Sequence, residues 1–337
     1  MKRPTIADIA KAAGVSKGAV SYALNGRPGV AETTRRRILD IAEGLGWAPS
    51  SAARALSDGR AGAIGLIVDR PARVLGVEPY FMQLIAGIQN ALADGPFALL
   101  LQVSDNQEAE LATYRRWWAE RRVDGVLVVD LRVDDPRTPL LQEIGLPAVV
   151  VGGPEGRGGL PCVWTDDGTA VTEVLEYLAA LGHRSVVRVA GPAEFVHTRV
   201  RSAAFDATAE RLGLAGARTV YTDYSDEAGA VVARRVLAAA DAPTAMVFDN
   251  DVMAVAALGV AQELGLPVPD RLSLVAWDDS ALCRLVRPAL TAVSRPIPAH
   301  GEAAVRLLLD LLAGGEVRDV RTGQPTLVPR ASTGRGH

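Results

Sequence analysis

The sequence predicts an α/β protein with a small all-α helix-turn-helix head followed by two doubly wound parallel-sheet subdomains. Three observations carry this reading. Up to Leu45 the apolar residues recur at helical spacing. From Ala63 onward, short apolar runs alternate with helical stretches, the pattern of βαβ units. The chain has 337 residues, more than one core usually holds, and more strands than one twisted sheet accommodates.

The head begins at Thr5, where Thr5 and Asp8 form a capping-box pattern. Ile6, Ile9, Ala10 and Ala13 then share one helical face. Gly14 suits a left-handed stop, and Ser16 suits the cap of a second helix. In that helix Ala19, Val20, Ala23 and Leu24 form a packing face, leaving Lys17, Gly18, Ser21, Tyr22 and Asn25 outward. Two short helices joined by a tight turn make a helix-turn-helix, whose second helix enters the DNA major groove. Lys17 can donate to guanine, Ser21 and Asn25 suit phosphate or base contacts, and Tyr22 offers an apolar edge and a hydroxyl. Gly18 costs about 1 kcal/mol of helix propensity against Ala, which a close backbone approach would explain. A third helix, Glu32 to Leu45, turns Ile38, Ile41, Ala42 and Leu45 inward and carries Arg35, Arg36 and Arg37 near its start.

Charge separates head from body. The first sixty residues contain ten Lys/Arg and five Asp/Glu, so they carry +5; the whole chain carries −3, which leaves −8 for the remainder. A basic head on an acidic body suits a polyanionic partner at the head. A solvated charged surface explains the same numbers equally well.

The stretch WAPSSAARALSDGRAG (47–62) follows. Residues 50–56 allow one or two helical turns with no apolar face large enough to hold them, and such a helix is marginal alone. It reads either as a linker or as a hinge that orders on DNA, with Leu56 as an apolar wedge in the minor groove.

In the body the expected strands are Ala63–Val68, Phe97–Gln102, Val126–Val129, Ala148–Val151, Ser185–Ala190, Ala245–Phe248 and Leu272–Ala276. The expected helices are Phe81–Ala93, Glu108–Ala119, Asp167–Ala180, Thr198–Leu212, Glu227–Ala240, Val252–Leu264 and Ala299–Leu312. The run GGPEGRGG (152–159) reads as a loop, without the spacing of a dinucleotide fingerprint. Trp117 and Trp118 read as core, and His183 as structural.

Several classes fall away. No apolar run approaches the ~20 residues of a membrane span, and no signal-peptide apolar region follows the N-terminus, so a cytoplasmic location is expected. Cys162 and Cys283 are too few for a disulfide framework and lack metal-site company. No phosphate-binding, dinucleotide, nucleophile-elbow or HExxH motif is present, so neither catalysis, a metal nor a cofactor is expected.

The segments TIADIAKAAGVSKGAVSYALNG, VAETTRRRI and GWAPSSAARAL resemble the head of LacI-family bacterial transcription factors. DGVLV (124–128), LGHRSVVRVAG (181–191), PTAMVFDNDVMA (243–254), LGLPVPDRLSLVAWDDS (264–280) and LVPRAST (327–333) extend the resemblance over almost the whole chain, into a body similar to periplasmic sugar-binding proteins. The resemblance implies a repressor that binds a palindromic operator as a homodimer and is switched by a sugar-like effector. It implies a DNA-binding head over 1–47, a hinge over 48–61 and an effector-binding and dimerisation domain over 62–333. Within the last, the N-subdomain spans about 62–163 and 295–323, and the C-subdomain about 164–292 and 324–333. The chain is expected to cross between them near Cys162–Thr165, Ala292–Arg295 and Gln324. The implied DNA-binding residues are Thr5, Ser16, Lys17, Gly18, Ser21, Tyr22 and Asn25, with Ser51, Arg54, Ala55 and Leu56 in the hinge. Ala19 and Ser50 stand where the family usually has Thr and Asn, and Ala204, Ala256 and Ala276 where it usually has Gly.

Ligands of parallel-sheet folds sit at the carboxyl ends of strands. That rule selects Asp69, Arg70, Asn250 and Asp278, and the resemblance adds Arg199, just before the RSAAF segment (201–205). Phe81, Trp164, Phe195 and Trp277 are candidate aromatic walls for a sugar. Asp69 and Arg70 are equally readable as a pair with each other, and Trp277 as core. The tail after Arg330 has no leucine heptad, so a dimer rather than a tetramer is expected. A sugar-binding protein or an α/β enzyme without operator function is the alternative.

Overall fold

The computed structural model describes residues 4–47, 59–70 and 72–336, and the chain divides into two compact units, Met1–Ala61 and Gly62–His337. Ser51, Arg54, Ala55 and Leu56, the hinge expectations, lie outside the described residues.

In the first unit, α1 (Ile6–Ala13), α2 (Lys17–Leu24) and α3 (Glu32–Gly44) enclose a core of Ile9, Ala10, Ala13, Val20, Ala23, Ile38 and Ala42. The Asp8 carboxylate accepts from the Thr5 amide at 2.8 Å and the Thr5 hydroxyl at 2.6 Å. Gly14 takes the left-handed conformation at φ 65°, and Ser16 accepts from the Ala19 amide at 3.1 Å. Four expected core positions, Ile6, Ala19, Leu24 and Ile41, are only half-buried, because each helix of so small a unit is covered on one side only. Leu45 lies one residue past the end of α3 and is exposed rather than inward.

The second unit opens with β1 (Ala63–Asp69), α4 (Ala72–Leu75), α5 (Pro79–Leu92), β2 (Ala98–Ser104), α6 (Gln107–Ala119), β3 (Gly125–Val128), α7 (Arg137–Glu143), β4 (Ala148–Val151) and β5 (Cys162–Trp164). It continues through α8 (Asp167–Ala180), β6 (Val186–Ala190), α9 (Val196–Leu212), β7 (Arg218–Tyr221), α10 (Asp226–Leu237), β8 (Ala245–Phe248), α11 (Asp251–Glu263), β9 (Ser273–Trp277), α12 (Ala281–Leu285) and β10 (Thr291–Ser294). It closes with α13 (Ile297–Leu312), β11 (Val320–Arg321) and β12 (Thr326–Val328).

These strands form two six-stranded sheets, ordered β11-β5-β4-β3-β1-β2 and β12-β10-β9-β8-β6-β7. All pairings are parallel except β10 with β12. The chain leaves the first sheet after β5, returns after β10, and passes to the second again between β11 and β12. The strands are apolar on both faces because helices cover both, as in β3, β4 and β8, whose residues are all buried. Helices α5 and α13 approach so closely over the first sheet that Gly87 and Gly301 leave no room for a β-carbon against the opposite backbone. The five strands β5, β7, β10, β11 and β12 lack long apolar runs, and alternation alone did not disclose them. Trp117 is buried while its neighbour Trp118 is exposed, since adjacent helical positions face different ways. His183 is buried, with Nδ1 2.8 Å from the Thr244 hydroxyl and Nε2 3.0 Å from that of Ser273.

Candidate functional site

Two surfaces carry chemistry, one on each unit. On the head, Thr5, Ser16, Lys17, Gly18, Tyr22 and Asn25 are exposed, and Ser21 is half-buried. Thr5 and Ser16 spend their hydroxyls on helix caps. The Asn25 amide donates to the Ser21 hydroxyl at 3.4 Å. Lys17, at the first position of α2, and the Tyr22 ring stand clear of such side-chain hydrogen bonds among the described residues. Arg35 does not join this face: its guanidinium donates to the carbonyls of Ala23 at 2.9 Å and Arg27 at 2.6 Å, clamping the end of α2 to α3.

In the second unit, the strand ends of both sheets meet at a cavity of about 140 Å³. Arg70 leaves β1, Asp130 follows β3, and Trp164 ends β5; Asp249 follows β8, Asp278 follows β9 and Arg295 follows β10. Asp167 opens α8, Arg201 lies in the second turn of α9, Glu78 and Tyr80 stand at the start of α5, and Tyr224 is in the loop after β7. Gly152, Gly153, Pro154 and Glu155 line one side, so the glycine-rich loop is a cleft wall.

The charges are arranged in two linked groups. At one end Arg70 lies 2.9 Å from Asp130 and 3.9 Å from Glu78, with its guanidinium over the rings of Phe195 at 4.8 Å and Tyr224 at 5.0 Å. Burial pushes the Glu78 carboxyl up to about 8 despite Arg70. At the other end Arg201 donates to Asp167 at 2.7 Å and stacks over Trp277 at 4.4 Å. Arg295 pairs with Asp278 and lies over the Tyr80 ring at 5.3 Å. Asp167 keeps its carboxyl far below the ordinary range: burial opposes this, but Arg201 and Arg295 outweigh it. Burial raises Asp278 even with Arg295 beside it. His197 and His300 are both held down to about 4 by burial, then by Arg201 and Arg295 respectively, so both are neutral near pH 7. Asp249 is fixed from behind by the buried Arg188, which donates to it at 2.8 and 2.6 Å.

Asp130 and Asp278 have positive φ, 49° and 79°. Non-glycine residues adopt that conformation at a cost, and such strain concentrates at functional sites. Arg137 holds the Asp130 turn by donating to the carbonyls of Val129 at 3.0 Å and Asp130 at 2.9 Å. The cleft is also bridged at one side. The Val133 amide donates to the Glu194 carbonyl and the Val196 amide to the Leu131 carbonyl, both at 2.8 Å, joining loops from the two sheets. Among the described residues no group of His, Cys, Asp or Glu is gathered to hold a metal ion.

Of the expected effector residues, Arg70, Trp164 and Asp278 line the cavity and six do not. Arg199 is exposed; two residues on, Arg201 takes the inward direction on α9. Asn250 is turned away, capping α11 through the Met253 amide and donating to the Tyr224 carbonyl. Asp69 pairs with Arg132 at 2.6 Å instead of Arg70. Phe81, Phe195 and Trp277 are buried behind the wall, where Phe195 and Trp277 carry the guanidinium groups of Arg70 and Arg201. The strand-end rule applied to every strand would have reached Asp130, Asp249 and Arg295. Arg295 escapes the reading because β10 is not among the expected strands, whereas Asp130 and Asp249 directly follow expected strands and are passed over, the latter for its neighbour Asn250.

The profile of bacterial regulatory proteins of the lacI family matches residues 5–50, and that of the periplasmic binding protein-like domain matches residues 175–333. The transcriptional regulator MalR of Streptomyces coelicolor is 34% identical over 341 residues, covering 97% of this chain and 96% of its own. A structure of the transcriptional regulator CelR in complex with cellobiose is similar over 98% of this chain and all of that one, at 29% identity and a TM-score of 0.73. The lac repressor dimer bound to operator and the anti-inducer ONPF matches 99% of this chain and all of that one, at 25% identity and a TM-score of 0.87.

Proposed function

The chain belongs to the LacI family of bacterial regulatory proteins, and from that premise we propose that it is a dimeric repressor switched by a carbohydrate effector in the cleft. The convergence of charged side chains from both sheets on one cavity carries the reading. Carboxylates and guanidinium groups take paired sugar hydroxyls, while Tyr80, Trp164 and Tyr224 offer surface to the sugar C–H face. The solved CelR complex with cellobiose supports this class of effector.

The division of labour is a DNA-binding head over 1–47, a hinge over 48–61 with Ser51, Arg54, Ala55 and Leu56 at the DNA, and an effector body over 62–333. Lys17, Gly18, Ser21, Tyr22 and Asn25 are the reading face, and Thr5 and Ser16 place the helix starts near phosphate. The dimer has an apolar strip available, because α5 and the edge strand β2 leave Met82, Leu101 and Val103 exposed. The cleft has two arrangements, and the effector favours one by binding it more tightly. In the bridged arrangement, the loops at 131–133 and 194–196 are joined. A change at that bridge alters how the two heads of a dimer are spaced, and so whether both engage neighbouring major grooves. The working location is the cytoplasm, where the operator is. None of the described helices is long and apolar enough to cross a membrane.

The test is operator selection from random palindromic DNA with the full chain, followed by titration of mono- and disaccharides. The expected result is sequence-specific, strongly salt-dependent binding whose affinity one of the sugars changes. Binding that no sugar alters, or that shows no sequence preference, refutes the reading.

A further inference from the structure

Seven carboxyl groups and three guanidinium groups line the cavity, and both lining histidines are held neutral. Each guanidinium is already committed: Arg70 to Asp130 and Glu78, Arg201 to Asp167, Arg295 to Asp278. An anionic ligand would therefore meet no free cation and an excess of like charge, which costs several-fold to many-fold in affinity. The Arg70 end differs from the Arg201 end in its hydrogen bonding. There Arg70 Nε, Glu78 Oε2 and Asp130 Oδ2 have no hydrogen-bond partner, although Arg70 and Glu78 are each only 6% exposed. The Arg70–Asp130 pair, at 2.9 Å, lacks the direction of a hydrogen bond, and the Arg70–Glu78 pair, at 3.9 Å, lacks the distance, so two carboxyl oxygens and one donor wait beside the cavity. A buried polar group without a partner is costly, and a ligand hydroxyl, at once donor and acceptor, relieves it.

We propose that Arg70, Glu78 and Asp130 form a hydroxyl-recognising subsite that selects uncharged polyhydroxylated effectors and rejects phosphorylated or carboxylated sugars. This rests on the reading of the cleft as the effector site and narrows its ligand class. Asp130 is the specificity-determining residue: its backbone is locked left-handed, and Arg137 pins the turn that carries it. Glu78 is its partner acceptor, supplied by the start of a different helix, α5.

The experiment is calorimetric titration of the full chain with glucose, maltose and cellobiose, and with glucose 6-phosphate and glucuronate. It is repeated on Asp130→Asn, Glu78→Gln and Asp278→Asn, each checked for an unshifted melting temperature without ligand. We expect at least one neutral sugar to bind, and both acidic sugars to bind about a hundredfold more weakly or not at all. Asp130→Asn should weaken the neutral sugar roughly tenfold, as loss of a hydrogen bond to a charged group does, and Glu78→Gln about threefold, because the Glu78 carboxyl is largely neutral near pH 7. Asp130→Asn should also narrow the gap to the acidic sugars. Acidic sugars binding as well as neutral ones, or no neutral sugar binding, overturns the proposal. A neutral sugar weakened by Asp278→Asn but by neither of the other variants removes the subsite and leaves the cleft reading standing. A sugar insensitive to all three removes the cleft reading itself.

Discussion

Arg35 separates fold from DNA contact most sharply. The sequence sets it in a run of three arginines on a basic head, where a phosphate contact is the obvious role. The structure instead gives its guanidinium two close carbonyl acceptors, Ala23 at 2.9 Å and Arg27 at 2.6 Å, and a longer one, Tyr22 at 3.5 Å, with only 17% of the side chain exposed. These carbonyls close the C-terminal end of α2, where a cation also opposes the helix dipole favourably. Arg35→Met keeps the aliphatic stem and removes these hydrogen bonds, of which the two close ones carry the energy. Each is worth about 1.5–3 kcal/mol, and water rehydrates the partly exposed carbonyls, so a net loss of about 2 kcal/mol is expected. A three-helix head of this size holds roughly 2–7 kcal/mol in all. The variant should therefore exchange the amides of α2 about thirtyfold faster. At temperatures where the head stays folded, operator affinity should change little and the dependence of log affinity on log salt should keep its slope. Hydrogen-exchange mass spectrometry and fluorescence anisotropy at several salt concentrations read the two quantities. Unchanged exchange with a slope smaller by about 0.9 would make Arg35 a phosphate contact and refute the argument.

Three further outcomes are expected. Lys17→Ala should cost about 1–3 kcal/mol on the selected operator and less on random DNA, measured by competition anisotropy, because an exposed lysine at the start of α2 acts on base edges. Arg201→Lys keeps the charge between Asp167 and Asp249 but loses the fork and the stacking on Trp277, so effector affinity should fall more than tenfold with a smaller change in urea midpoint; equal losses would make Arg201 merely structural. His300 is held neutral at about 4 in the fold and titrates near 6.5 when unfolded, so its contribution is complete above pH 6.5 and is lost as pH falls toward 4, by roughly 3 kcal/mol at most. His197 adds in the same direction, so His300→Asn should make the fall in urea midpoint between pH 7 and 4.5 shallower without abolishing it; an unaltered profile would refute the assignment.

Much of the fold was legible because its signals are local. The caps at Thr5 and Ser16, the glycine stop at Gly14 and the buried runs of β1, β3, β4 and β8 each depend on a few neighbouring residues. The site was legible only in part. Position after a strand found Arg70 and Asp278; the same rule reaches Asp130 and Asp249 at the ends of expected strands, and Arg295 only once β10 is known to be a strand. Position could not say which way Arg199 and Arg201 point, since two residues along a helix turn a side chain to another face.

By itself the sequence determined the order of the elements, the basic head and the acidic body, because periodicity and charge are written along the chain. Only the tertiary structure decided what each charged group is for. Arg35 became a clamp, Arg201 replaced Arg199, Asp69 left Arg70 for Arg132, and Trp277 went behind the wall rather than into the cleft. The physical reason is that a buried charge is defined by its partners. Asp130 finds Arg70, Asp249 finds Arg188 and Asp167 finds Arg201 on elements far away in sequence, which only the assembly of the strands and helices into the folded unit brings together.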